Sequence, residues 1–335
     1  MIAAEIAERF AGKRVLITGG LGFIGSTLAR ELVEAGANVT LVDSLLPDYG
    51  GNVANIAGIE DRVSVNISDV RDEHSLRTLI KGQHVLFNLA GQTSHLDSMS
   101  DPYTDLEINC RSQLSILEVC RHHNPDVKVV FASTRQIYGR PQYLPVDESH
   151  PIAPVDVNGI NKTAGEWYHL LYGRVYGLRV AVLRLTNTYG PRMRVVDARQ
   201  TFLGYWFRRI LSGDELLVYG DGQQRRDLNY VDDAVRAFLL VAASDDANGE
   251  VFNTGDDRVV ALVELARLLV EANNGGSYRV VPFPAEREAI DIGDYYADFS
   301  RIRATLGWEP MVSLEEGLAR SLEYYRERRR SYWDA

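Results

Sequence analysis

Short, mostly continuous apolar runs alternate with segments of helical period through the first half of the chain. The runs are RVLIT (14–18), NVTLVD (38–43), VSVNI (63–67), HVLFNLA (84–90), VKVVFAS (127–133) and LRVAVLRL (178–185). Runs of this length, rich in β-branched residues, predict strands covered on both faces. Between them the pattern predicts helices over Ile24–Ala35, Asp72–Lys81, Pro102–Arg121 and Gly159–Tyr176. Such regular alternation predicts an α/β architecture: a Rossmann-like, doubly wound parallel sheet with right-handed crossovers.

After Leu185 the rhythm breaks into turns such as NTYGPR and VYGDGQQRRD. A smaller, loop-rich C-terminal lobe is expected there, above the carboxyl edge of the sheet. Helices are predicted near Asp232–Ala243 and Ala261–Asn273, and Ser313 with Glu316 stands in capping-box spacing at the start of a last one. The expected division is a first domain over 1–185 and a lobe mainly over 186–335, with part of 228–258 returning to the first. The terminal RERRR reads as a solvated helix face.

The segment RVLITGGLGFIGSTLARELVEAGANVTLVD sets Gly19, Gly22 and Gly25 directly after a strand and at the start of a helix. An acidic residue, Asp43, closes the second strand. Gly19 allows the tight turn, Gly22 lets the backbone approach a pyrophosphate, and Gly25 lets helix and strand pack closely. The helix N-terminus offers free N–H groups to the phosphates. Asp43 would accept from ribose hydroxyls and repel a 2′-phosphate, so NAD is expected over NADP.

Composition narrows the picture further. The 335 residues carry a formal charge of -10, which argues against a sequence-independent nucleic-acid binder. The N-terminus lacks the apolar core of a secretory signal, and no run approaches the length of a spanning helix. The two cysteines, Cys110 and Cys120, lie too far apart on one predicted helix to bridge and read as reduced thiols. No metal site and no membrane partner are expected, and the expected location is cytoplasmic.

The three-residue glycine spacing resembles the extended short-chain dehydrogenase/reductase family, in particular its nucleotide-sugar epimerase/dehydratase branch. Further resemblances run along nearly the whole chain: SDVRD (68–72), NLAGQ (88–92), EIN (107–109), ASTRQIYG (132–139), LTNTYGPR (185–192), VYGDGQQRRDLNYVDD (218–233) and ADFSRIRATLGWEP (297–310). The resemblance implies NAD as cofactor and a nucleotide sugar as substrate. It implies that Phe23 and Ile24 line the cofactor with the glycines, that Asp69 and Val70 lie at the adenine, and that Asn88, Ala90 and Gly91 line the cofactor. Asn109 would sit near the active-site end of its helix and Lys162 would hold the nicotinamide ribose. The helices over 102–121 and 159–176 match those that pair into a four-helix homodimer interface.

By the same resemblance, a tyrosine four residues before Lys162 takes the sugar hydroxyl's proton, and a Ser or Thr hydrogen-bonds that hydroxyl. Thr134 fits the second position, but Asn158 stands in place of the tyrosine. An amide cannot act as a base at neutral pH. Three explanations remain open. Lys162 itself, Tyr138, or His95 after the fourth strand supplies the base; the substrate presents a different atom; or catalysis has lapsed into a regulatory NAD-binding role. Dehydratases of the branch carry an Asp-Glu pair after the Thr, and decarboxylases keep the Glu. Here Arg135 and Gln136 follow Thr134, which favours epimerisation by transient oxidation over a lyase with an unconventional base. On the substrate side the candidates are Gln92, Asn187, Arg192, Arg199 and Arg226, the last for a diphosphate. Asp291 falls where relatives keep a phosphate-binding arginine, and it is expected to repel phosphates unless Arg287 compensates.

Overall fold

The computed structural model describes residues 4–47 and 49–333. Six strands open the chain: β1 (Arg14–Thr18), β2 (Asn38–Asp43), β3 (Val63–Ile67), β4 (Val85–Asn88), β5 (Lys128–Thr134) and β6 (Arg179–Leu185). Three short strands follow, β7 (Asn187–Tyr189), β8 (Leu216–Tyr219) and β9 (Arg225–Tyr230), then β10 (Val251–Asn253), β11 (Val259–Ala261) and β12 (Tyr278–Val281). The main sheet runs β10-β6-β5-β4-β1-β2-β3, with every neighbour pair parallel. Strand order reverses between β1 and β4, and the loops leaving their carboxyl ends open the crevice where such sheets bind ligands.

The interleaved helices are α1 (Ala4–Phe10), α2 (Phe23–Glu34), α3 (Glu73–Leu79), α4 (His95–Ser100), α5 (Pro102–Leu106), α6 (Ser112–His123) and α7 (Val157–Tyr176). Alternate strand residues feed two cores. Val15 and Ile17 of β1 pack with Leu28 and Leu32 of α2, whereas Leu16 packs with Leu76 of α3, Leu117 of α6 and Tyr172 of α7. Helix α8 (Phe202–Leu211) belongs to the lobe, and α9 (Val231–Ala243) packs back on α2, β5 and β6. With β10 beside β6, the chain thus returns to the main sheet after the lobe has begun. Helices α10 (Leu262–Ala272), α11 (Ala285–Glu288), α12 (Ser300–Leu306) and α13 (Leu314–Glu327) follow: α10 packs on α13, β11 and the β12-β8 pair, and α12 packs on β10 of the main sheet, while β11-β9-β7 form a second small sheet.

The structure departs from the periodicity in two places. VSVNI is the open edge of the sheet, and Val65 and Ile67 are exposed; an apolar run alone does not distinguish an edge from a covered strand. The helix predicted over Pro102–Arg121 is broken by a π-helical turn over Glu107–Arg111 between α5 and α6. That extra residue turns Asn109 inward, consistent with π-turns marking functional sites. Helix α7 begins where Asp156 accepts the Gly159 N–H at 2.6 Å and ends at the left-handed Gly177. None of the helices among the described residues is long and apolar enough to cross a membrane.

Candidate active site

A cavity of about 500 Å³ runs along the switch point and under the lobe, a size suited to a small molecule. Its dinucleotide end is built by the β1–α2 turn. Gly19 adopts φ 68°, and α2 starts with no side-chain cap and no acidic residue in its first turn, so its first N–H groups are free for an anion. Gly22, Phe23, Ile24 and Gly25 line the cavity with Gly19. At the end of β2, the Asp43 oxygens accept the backbone N–H groups of Leu45 at 2.9 Å and Leu21 at 3.0 Å. Burial pushes its carboxyl above the ordinary value, against the pull of those two bonds. Asp69 and Val70 line the far end, and Asp69 is held by Arg71 through contacts of 2.9 and 2.6 Å.

Ala90 and Gly91 line the cavity after β4, but Asn88 lies behind them. Its Oδ1 accepts the Thr18 hydroxyl at 2.9 Å, and Thr18 in turn accepts the Leu89 and Ala90 N–H groups. Asn88 therefore shapes the cofactor wall without forming it. A Cβ placed on Gly91 would lie 2.8 Å from Lys162 Nζ and 2.9 Å from Asn109 Oδ1. That Asn109 oxygen is buried without a hydrogen bond. An ammonium and an orphaned acceptor converging beside a bare backbone fit the hydroxyls of a nicotinamide ribose.

Lys162 Nζ donates to Ala132 O at 3.2 Å and sits 5.1 Å from the centre of the Phe131 ring. Burial lowers its pKa to about 8, with Asp105 opposing the shift. Folding thus confines a charged lysine below about pH 8, and the penalty disappears as pH rises to the unfolded value of 10.5. Lys162→Met is expected to unfold at a higher temperature than wild type at neutral pH in cofactor-free protein. The gap should close as pH climbs through 8 to 10.5, and thermal melts across that window measure it; a gap constant with pH would contradict the buried charge.

The sugar end is formed by Thr134, Arg135, Gln136, Asn158 and His95 from the sheet side and Asn187, Arg199 and Arg226 from the lobe side. Thr134 closes β5, and its hydroxyl accepts the Gln136 N–H at 3.2 Å. Asn158 is buried, and its amide donates to Gln92 O at 2.7 Å and Asp105 Oδ2 at 3.0 Å. Asp105, wholly buried on α5, also accepts from Asn109 at 3.0 Å and Asn161 at 2.8 Å. This carboxylate hub was not apparent in the sequence; its only trace there is the one-turn spacing of Asp105 and Asn109.

Besides Asn88 and Asn109, three candidates are displaced from the cavity. The Tyr138 ring is fully buried in a separate cluster, and its hydroxyl bonds Asn253 Oδ1 and Arg184 Nη1 at 2.7 Å each. Burial raises its pKa to about 12, and Tyr138 packs outside the cavity. The Gln92 side chain donates to Ser94 O at 2.9 Å and faces inward. Arg192 donates to Thr27 at 3.0 Å and lies 5.7 Å over the Tyr324 ring, against α2.

On the lobe side, Arg135 donates to Asn187 Oδ1 at 3.0 Å. Arg226 is buried, and desolvation, then neighbouring Arg135, lowers its pKa to about 10. Asp291 does line the cavity, but one oxygen stands 3.7 Å from Arg226 Nη2 and the other accepts Gln224 at 3.0 Å. It therefore offsets Arg226 instead of facing the cavity as an isolated charge. Arg287 also lines this end, over the Tyr219 ring, and Arg199 lies 3.8 Å from Asp97.

The chain matches the profile of the NAD dependent epimerase/dehydratase family over residues 15–255. It is 32% identical over 318 residues to a putative UDP-glucose 4-epimerase of Methanocaldococcus jannaschii, covering 95% of this chain and 100% of that one. The UDP-glucose 4-epimerase of Thermotoga maritima, solved with UDP-glucose, superposes with a TM-score of 0.85 at 33% identity, covering 94% and 99% of the two chains. The dTDP-glucose 4,6-dehydratase DesIV of Streptomyces venezuelae, solved with NAD, gives 0.87 at 29%, covering 95% and 98%.

Proposed function

Because this chain belongs to the NAD-dependent epimerase/dehydratase family, whose cofactor is NAD, we propose that it is a nucleotide-sugar epimerase acting by transient oxidation. NAD, when bound, supplies reversible hydride acceptance next to the sugar. The residues suited to hold it are the Gly19–Gly25 turn, Asp43, Asp69, Val70, Ala90, Gly91 and Lys162, with Asn109 behind them. Thr134 is positioned to orient the reacting hydroxyl. Arg226 and Asn187 are placed to hold a diphosphate and its sugar.

One observation carries epimerisation over elimination. The positions after Thr134 hold no carboxylate, and their side chains are committed elsewhere: Arg135 to Asn187, and Gln136 to Asp156 at 2.8 Å. Elimination of water needs an acid and a base at the sugar beyond the redox step; oxidation, rotation of the keto-sugar and return of hydride do not. Incubation with UDP-, GDP-, CDP- and dTDP-sugars, followed by NMR, should yield an epimer that requires NAD. A 4-keto-6-deoxy product or released carbon dioxide would move the protein to the lyases, and silence across the panel would mark a lapsed enzyme.

A homodimer accompanies this reading. Along α7, Ile160, Trp167, Leu171 and Val175 are exposed on one stripe, and Tyr103 and Leu106 of α5 are exposed as well. Apolar side chains concentrated on adjacent helices mark an association surface. Wild type is expected to sediment as a dimer at micromolar concentration, and Trp167→Glu as a monomer; a monomeric wild type would refute it.

A further inference from the structure

His95 opens α4 in the segment that follows β4; its side chain is 31% exposed, and it lines the same cavity as Thr134 and Asn158. Its Nδ1 stands 2.9 Å from Oδ2 of Asp156, a short approach that is not collinear with the ring N–H. Asp156 is itself immobilised. It caps α7 through Gly159, its Oδ2 accepts the Gln136 amide, and its carboxylate is wholly buried. Burial raises its pKa, but the contacts from His95, Gly159 and Gln136 outweigh that and leave it below the ordinary carboxylate value. The carboxylate is therefore present as an anion behind the imidazole.

We propose that His95, oriented by Asp156, carries the sugar-hydroxyl proton in place of the tyrosine absent at position 158. The proposal rests on the epimerase reading above. A carboxylate 2.9 Å from Nδ1 favours the proton on that nitrogen and leaves the Nε2 lone pair available. The balance is simple. The hydroxyl O–H bond breaks and an Nε2–H bond forms, while the carbinol hydride goes to a nicotinamide cofactor as C=O forms. On return the Nε2–H proton goes back to the carbonyl oxygen, and the hydride adds to the opposite face of the carbonyl carbon.

The other candidates are committed elsewhere. Asn158 spends its amide on Gln92 and Asp105, and Tyr138 lies outside the cavity. Lys162 keeps its proton at neutral pH, since its pKa falls only to about 8. His95 lines the cavity with the Asp156 carboxylate at its back.

His95→Ala should lower kcat by about 10²–10⁴-fold, with the KM for the nucleotide sugar and NAD affinity changed by less than about threefold, and added imidazole should restore part of the rate. A His95→Ala variant within about threefold of wild-type kcat overturns the proposal. A second measurement does not depend on turnover: ¹⁵N spectra of His95 should show the Nδ1–H tautomer in wild type and its loss in Asp156→Asn, which keeps a helix-capping side chain. An Nε2–H tautomer in wild type overturns the assignment even if no sugar in the panel reacts, whereas that silence by itself counts against the epimerase reading alone.

Discussion

Gly25→Ala is expected to lower NAD affinity by about 10²-fold and stability by about 2–3 kcal/mol. A methyl group at this position would lie 2.2 Å from the carbonyl oxygen of Gly19 and 3.0 Å from Gly19 C and Gly20 Cα. All three neighbours are backbone, so no side chain can rotate aside. Relief requires α2 to move away from β1, and that movement displaces the first-turn N–H groups from the phosphate position. The phosphates would then lose aligned donors just where the helix end is most favourable to them. Isothermal titration with NAD and urea unfolding measure the two effects. Wild-type affinity in this variant would mean that the turn is not the pyrophosphate site.

Arg184→Met is expected to destabilise the fold by about 3–5 kcal/mol. Arg184 on β6 bonds both oxygens of Glu166 on α7, at 2.5 and 3.1 Å, and Glu166 also accepts the Ser133 hydroxyl at 2.7 Å. The Glu166 side chain has no solvent exposure and that of Arg184 only 5%. Removing the guanidinium leaves a carboxylate with no counter-charge in the interior and strips a donor from Tyr138. The double variant Arg184→Met/Glu166→Leu should recover most of the loss, because an apolar pair of similar volume replaces a desolvated ion pair at little net cost. Urea denaturation of both variants decides it. If the double variant is as weak as the single one, packing and not charge sets the effect.

Much of this architecture was legible because local signals and global fold agree. The strands 14–18, 38–43 and 63–67 and the helix end at Tyr176 coincide with the periodicity, since β-branched runs and a C-terminal glycine carry their own physical instruction. The glycine spacing located the dinucleotide end of the cavity for the same reason. What stayed hidden depends on contacts distant in sequence. Asn88, Gln92 and Arg192 sit in recognisable segments, but their side chains turn inward or toward α2 because partners at Thr18, Ser94 and Thr27 claim them. The pairing of His95 with Asp156 spans 61 positions (156 − 95). Asp156 could have been read as a helix cap from its place before α7; that its second oxygen would meet a histidine could not.

The Asp105 hub ties position 158 to its surroundings. One carboxylate collects amides from Asn109, Asn158 and Asn161, so the residue at 158 is epistatic with the π-turn and with α5. Installing a tyrosine there would do more than add a phenol: it would withdraw a donor from Asp105 and free the Gln92 carbonyl that Asn158 and Asn109 share. A single exchange to tyrosine at 158 would leave Asp105 and the Gln92 carbonyl each with one donor fewer, so the hub and the residue at 158 have to change together.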